Sequence, residues 1–275
     1  MSTGTRTGTR AGGSRTDTAS AEAALCCASA APSSWLLTLV EMRKMTDTRS
    51  GRWVLAVIGL TMVGMTCLVV FAADPGDRTT AELFLASQTG LSLLLPVVAI
   101  VAVTAEWSQR DGLTTFALVP VRGRIIRAKV QAGLILAVCG VALSAVVTVG
   151  GHALGIATGN ADGGWAIPLD LVATRVLDCV IAVFAGVAFG MLLGSPLLSI
   201  LAFYAVPIVL GILGGTVSAL DGTMTWIDPG RALTPLSEVG DVSASEWAHM
   251  ATSTALFTVL PFAGGAWCLL RREVK

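Results

Sequence analysis

Charge is what this chain has least of. Only 13% of its 275 residues are charged, while 54% are hydrophobic. Soluble domains carry about 25% charged residues, so the shortfall excludes an ordinary water-soluble domain and points to a chain whose solvent is lipid. Histidine occurs twice and tyrosine once. No GxxxxGK[ST] stretch is present, so the chain has no phosphate-cradling loop of its own. There is no HExxH, no GxSxG and no histidine pair. His152 and His249 lie far apart and read as interfacial residues. With no nucleophile and base at matched depth, there is no candidate for intramembrane hydrolysis. The expectation is a protein that is not an enzyme, holds no metal or cofactor of its own and has no nucleic-acid partner. The six cysteines have neither zinc-site nor disulfide-framework spacing. Cys67, Cys139, Cys179 and Cys268 fall in apolar runs and read as small hydrophobes.

What is there in quantity is apolar sequence, in runs. Residues 1–32 are a Thr-, Gly-, Ser-, Ala- and Arg-rich stretch without periodicity, read as a disordered tail rather than a signal peptide. Six segments follow, Trp53–Ala73, Phe84–Ala105, Val130–Gly150, Leu171–Gly194, Leu197–Ala219 and Ala251–Leu270. Each reaches the ~20 residues that a helix needs to cross the hydrocarbon layer. The alternation of a barrel strand is absent, and backbone groups in lipid must pair within their own segment. The expected fold is therefore all-α and polytopic, with six transmembrane helices in a single domain, 33–275.

The cations orient it. With the N-terminus inside, the segments 1–52, 106–129 and 271–275 hold 15 of the 18 Lys and Arg residues. The connections on the other side hold only Arg78 and Arg231, and the last cation is Arg175 within the fourth run. That asymmetry predicts cytoplasmic termini. Composition suggests a GC-rich bacterial genome, and hence a bacterial cell membrane. Trp53, Trp107, Trp165, Trp247 and Trp267 fall at predicted boundaries, where amphipathic rings favour the headgroup level, Trp35 and Trp226 fall in flanking segments, and none is in mid-run.

A few residues within or beside these runs are candidates for function. Arg175 and Asp178 are ionisable residues inside an apolar run, three apart and so able to pair, with Arg175 close enough to the outer boundary to snorkel. Ala182, Gly186, Gly190 and Gly194 recur every four residues and form a packing seam, toward either this bundle or a second copy. Pro96, Pro207 and Pro261 should kink or interrupt their helices. Tyr204, in mid-run, needs a partner for its hydroxyl and is a candidate pathway residue. The connection 220–250 is long and acidic, and Ser243 or Ser245 is placed to cap an early start of the last helix.

Two basic segments remain. In 33–52, Trp35, Leu36, Leu39 and Met42 share a helical face, and the segment reads as an interfacial helix. In 106–129, EWSQRDGLTTFALVPVRGRIIRAK, Asp111 is placed to cap a two-turn helix from Gly112 to Val119 that Pro120 ends. Leu113 and Phe116 lie on one face of it. VRGR then reads as a turn, with Arg127 and Lys129 anchoring the next helix at the lipid surface. So short a helix is marginal in water and needs something to dock against.

At these segments the chain resembles the permease subunits of ABC-2 type exporters. VEMRKMTDTRSGRW is similar to the E-x-x-K-x-x-x-x-R pattern that leads into such permeases, and EWSQRDGLTTFALVPVRGRIIRAK to their E…G-T/L…P-x-R…K cytoplasmic loop. The basic tail WCLLRREVK is similar too, and the resemblance covers roughly residues 34–275. It implies a separate ATPase subunit, which binds ATP and docks under the membrane, and a second permease copy. It also implies a coupling role for Glu106, Gly112, Leu113, Thr115, Phe116, Pro120, Arg122 and Arg124. Short re-entrant helices are a family feature of the outer 220–250 connection. The alternative reading is a membrane assembly or signalling partner of an ATPase.

Overall fold

The computed structural model describes residues 33–74, 78–108, 122–161, 164–238, 240 and 242–271. These residues form helices and turns without a β-strand. The helices are α1 (Ser34–Asp47), α2 (Arg49–Ala72), α3 (Thr80–Ser108), α4 (Arg122–Ala157), α5 (Leu169–Leu193), α6 (Pro196–Thr216), the short α7 (Asp221–Ile227) and α8 (Pro229–Ala232), α9 (Ala244–Thr254) and α10 (Leu260–Arg271). Five of them, α2 to α6, are long and apolar enough to cross a membrane. They match the first five expected runs to within a few residues at most ends. The exception is α4, whose 36 residues give a rod of about 54 Å, longer than a bilayer with its headgroups.

Two of these helices organise the rest. In the larger core, Ile58 and Met62 of α2, Phe84, Leu91 and Leu95 of α3, Ala137 and Val141 of α4, and Cys179 and Val183 of α5 meet. A second cluster joins Ala99 and Val103 of α3 to Val130 of α4 and Val187 and Met191 of α5, with Phe262 of α10 packed against it. Accordingly 56% of the apolar stretch of α3 is buried, against 11% in α6. The unburied apolar faces, such as Val57, Leu60 and Leu68 on α2 and Leu201, Ile208 and Ile212 on α6, are surfaces suited to hydrocarbon rather than water.

The four-residue stripe on α5 faces this same bundle. A Cβ on Gly186 would lie 2.6 Å from the Pro96 carbonyl oxygen of α3, and one on Gly190 3.1 Å from Val103 Cβ. The glycines thus let α5 lie directly on α3. Ala182, on the same stripe, is half-buried. Gly194 has a different task. It ends α5 with φ 65°, a left-handed conformation open to glycine at little cost.

The segment Ala244–Arg271 is wound in three ways: α9, a π turn over Ala255–Val259, then α10. Ser243 and Glu246 form a capping box at its start. Pro261 has no N–H to donate back into the preceding turn, and the wider winding lies directly before it. In the 220–250 connection the prolines of DPG (228–230) and TPL (234–236) lie at helix starts. Asp228 caps α8 with Pro229 in its first turn, and Pro235 lies in a 3-10 turn, Thr234–Ser237.

Candidate functional site

The helix ends separate into a basic side, holding α1 and the ends of α3 and α4 that flank residues 109–121, and an acidic side holding the 220–250 connection. On the basic side α1 docks through a face other than the one its apolar residues suggest. Thr38, Glu41 and Met45 are buried, while Trp35 and Leu36 are exposed. The reason is polar. Glu41 Oε2 receives a hydrogen bond from Lys129 Nζ at 2.7 Å, and Glu41 Oε1 receives one from Lys44 Nζ at 2.7 Å. Lys129 also donates to the Ala102 carbonyl at 2.8 Å, and Thr38 Oγ1 to Gln131 Oε1 at 2.8 Å.

Lys129 is therefore not the lipid-surface anchor its sequence position suggests. It is a buried ammonium, its side chain 5% exposed, that ties α1 to α3 and α4. Burial alone would raise the Glu41 carboxyl. The charge of Lys129 and the hydrogen bonds from Lys129 and Lys44 outweigh that and hold it below its ordinary value.

The expected docking stretch between α3 and α4, Gly112 to Pro120 with Leu113, Thr115 and Phe116, lies outside the described residues. Glu106 falls in the last turn of α3. Arg122 and Arg124 are already in the first turn of α4, so Arg122–Arg124 open the helix rather than turn the chain.

Toward the acidic side, Arg175 does not snorkel. It is 4% exposed and turned into the bundle. Its Nη2 lies 3.3 Å from Asp178 Oδ2 and donates to Ser92 Oγ of α3, and Nη1 donates to Ser237 Oγ at 2.6 Å. Ser92 in turn donates to Asp178 Oδ2 at 3.4 Å. One guanidinium thus joins α5, α3 and the 3-10 turn of the acidic connection. The expected Arg175–Asp178 pair is present; sequence reasoning missed Ser92 and Ser237, which lie 83 and 62 residues from Arg175.

One turn further along α3 is Pro96. It lacks the N–H that would reach back to the Ser92 carbonyl, and Tyr204 of α6 donates its hydroxyl to the next carbonyl, that of Leu93. Tyr204 therefore has the partner its position demands, a backbone carbonyl of α3.

The two cations on the acidic side also make structural ties. Arg78 holds the Ala73 carbonyl and both the carbonyl and side-chain oxygens of Asn160, and Arg231 pairs with Asp221 at 2.6 Å. Among the described residues no group of His, Cys, Asp and Glu could hold a metal ion. His152, read as interfacial, is fully buried within the protein, edge-on to Trp165 with ring centroids 4.8 Å apart. Compared with known proteins, the sequence matches no family model and no curated protein.

Proposed function

We infer that this chain is the membrane-spanning subunit of an ATP-driven exporter of the ABC-2 type. In this reading Ala244–Arg271 is the sixth span, the basic side is cytoplasmic and two permease copies work with a separate ATPase. The observation that carries it is the Glu41–Lys129–Ala102 cluster. It fastens the amphipathic α1 to the ends of α3 and α4, which are the two helices leading into and out of the 106–129 segment. A push on that segment then moves α1, α3 and α4 together rather than bending a free loop. Midway along α3, Ser92 is bonded to Arg175, and Arg175 to Ser237 of the acidic connection. A rigid displacement of α3 is thereby felt at the far surface, as a switch between two packings of the bundle requires.

The resemblance supplies the partner. Phe116→Asp or Arg122→Glu should leave membrane insertion intact and abolish co-purification of a nucleotide-binding ATPase. Wild-type recovery of the ATPase with both variants would overturn the reading.

A further inference from the structure

Arg78, Lys129, Arg175 and Arg231 are each held by oxygens of the chain. At the corner between α1 and α2 the cations are not. Arg43, near the end of α1, and Arg49 and Arg52, in the first turn of α2, are exposed, and no described residue bonds to their side chains. The one carboxylate between them, Asp47, is exposed and pairs with none of them. The first turn of α2 holds no acid, although the positive end of a helix dipole favours one and disfavours cations. Two arginines there repel the helix end and each other, and a bound anion relieves both.

The corner itself is rigid. Thr48 caps α2 by accepting a hydrogen bond from the Gly51 N–H. A Cβ on Gly51 would overlap the Met45 carbonyl, so the start of α2 lies directly on the end of α1. Met45 is buried with Val98 and Ala132. The three arginines thus stand on a fixed frame.

The same face of α2 continues into apolar surface. Arg49, Trp53, Val57, Leu60, Gly64 and Leu68 follow one another at spacings of four or three, one side of a helix, and all are exposed. From Trp53 to Leu68 the stripe runs about 22 Å, more than the ~15 Å that is half of a hydrocarbon core. Trp53, 74% exposed, has the amphipathic ring that favours the headgroup level. Arg49 lies about 6 Å beyond it along the axis, at the depth of lipid phosphates.

The two halves of this surface select the occupant. A free phosphate or an acidic protein in water would answer the arginines and leave the apolar stripe bare. The chain's own segment 1–32 has the wrong sign, with Arg6, Arg10 and Arg15 against Asp17 and Glu22. A phospholipid of net negative charge answers both halves. In a choline lipid the headgroup cation cancels the phosphate charge and meets the arginines with like charge.

We propose that the α1–α2 corner binds an anionic phospholipid of the leaflet on the basic side. Its phosphodiester oxygens accept hydrogen bonds from Arg49 and Arg52, whose planar forks match that geometry. Arg43 adds a third positive charge, and an acyl chain lies along Trp53, Val57 and Leu60. The inference needs α2 to lie in a bilayer and does not depend on the exporter reading.

The test is photo-crosslinking of the purified full chain in vesicles of phosphatidylcholine with a minor share of phosphatidylglycerol. A trace of one lipid or the other carries a diazirine on its acyl chain, and adducts are located by mass spectrometry. In wild type, residues 49–60 should take up the phosphatidylglycerol probe at least about tenfold more than the phosphatidylcholine probe at equal concentration. Arg49→Gln with Arg52→Gln should bring that ratio within about twofold of unity. Both side chains are exposed and unpaired, and an unchanged yield of phosphatidylcholine adducts on 64–71 shows that the double variant keeps α2 in the bilayer. Equal uptake of the two probes by wild type, or a wild-type ratio in the double variant, would overturn the proposal. So would native membranes in which an acidic protein covers the corner and abolishes its phosphatidylglycerol adducts.

Discussion

Replacing Lys129 with methionine is the most informative single perturbation of the basic side. The lysine and Glu41 side chains are 5% and 7% exposed, so the pair belongs with buried rather than surface ion pairs. Lys129→Met leaves the Glu41 carboxylate in place with only Lys44, whose side chain is 46% exposed. Removing one member of a buried pair costs about 3–5 kcal/mol, because a charge is left without compensation. Removing both, as in Glu41→Leu with Lys129→Met, should restore most of that loss, since apolar side chains of similar volume fill such sites at little cost. Lys44→Ala should cost no more than about 1 kcal/mol.

The assay is reversible unfolding of the purified chain in mixed micelles, read as a double-mutant cycle. The pair also sets a pH dependence. The folded Glu41 carboxyl lies below its ordinary value of 4.5, so its contribution is complete above that pH and is lost as pH falls below it toward the folded value. Lys129→Met should abolish this acid-side slope. A Lys129→Met chain within about 1 kcal/mol of wild type, with no coupling to Glu41, would refute the reasoning.

Other consequences follow from single contacts. Gly186→Leu places atoms where the Pro96 backbone lies and should cost at least about 1–3 kcal/mol in the same unfolding assay; Gly164→Ala, where a Cβ meets nothing within 4 Å, should be close to neutral. Tyr204→Phe removes the hydrogen bond to the Leu93 carbonyl and should cost about 0.5–1.5 kcal/mol, with the phenylalanine packing intact by near-ultraviolet circular dichroism. Ser237→Ala removes one of the bonds of Arg175 and should raise amide hydrogen exchange in 234–238, while Ser92→Ala, which acts at the other side of the same guanidinium, should raise exchange in the middle of α3.

The long-range elements of this molecule were the hardest to read from sequence. The five long helices follow from runs of apolar residues, because a bilayer demands length and hydropathy and little else. Arg175 and Asp178 were legible because three residues on a helix is a local spacing. Their partners Ser92 and Ser237 come from other elements, and nothing in the order of residues brings them near. Lys129 was misread for the same reason: its counterion Glu41 is 88 residues away, and a cation at the end of an apolar run looks like a surface anchor. The resemblance does contain both residues, one in each of its two motifs, without saying that they meet. The burial of His152 was not legible because Val130–Gly150 already satisfies a bilayer. The helix continues to Ala157 and carries the ring into the bundle. The stripe on α5 could have served a second copy; the Pro96 and Val103 contacts assign it to this chain.

The exporter account stands on the segment between α3 and α4 touching an ATPase, and one crosslinking experiment addresses that contact. With a single cysteine at Phe116 in an otherwise cysteine-free chain, a short bifunctional thiol reagent applied in native membranes should yield one major adduct, and mass spectrometry should identify the attached chain as a Walker-motif ATPase. An adduct with no ATPase in it, or crosslinks only to further copies of this chain, would contradict the account.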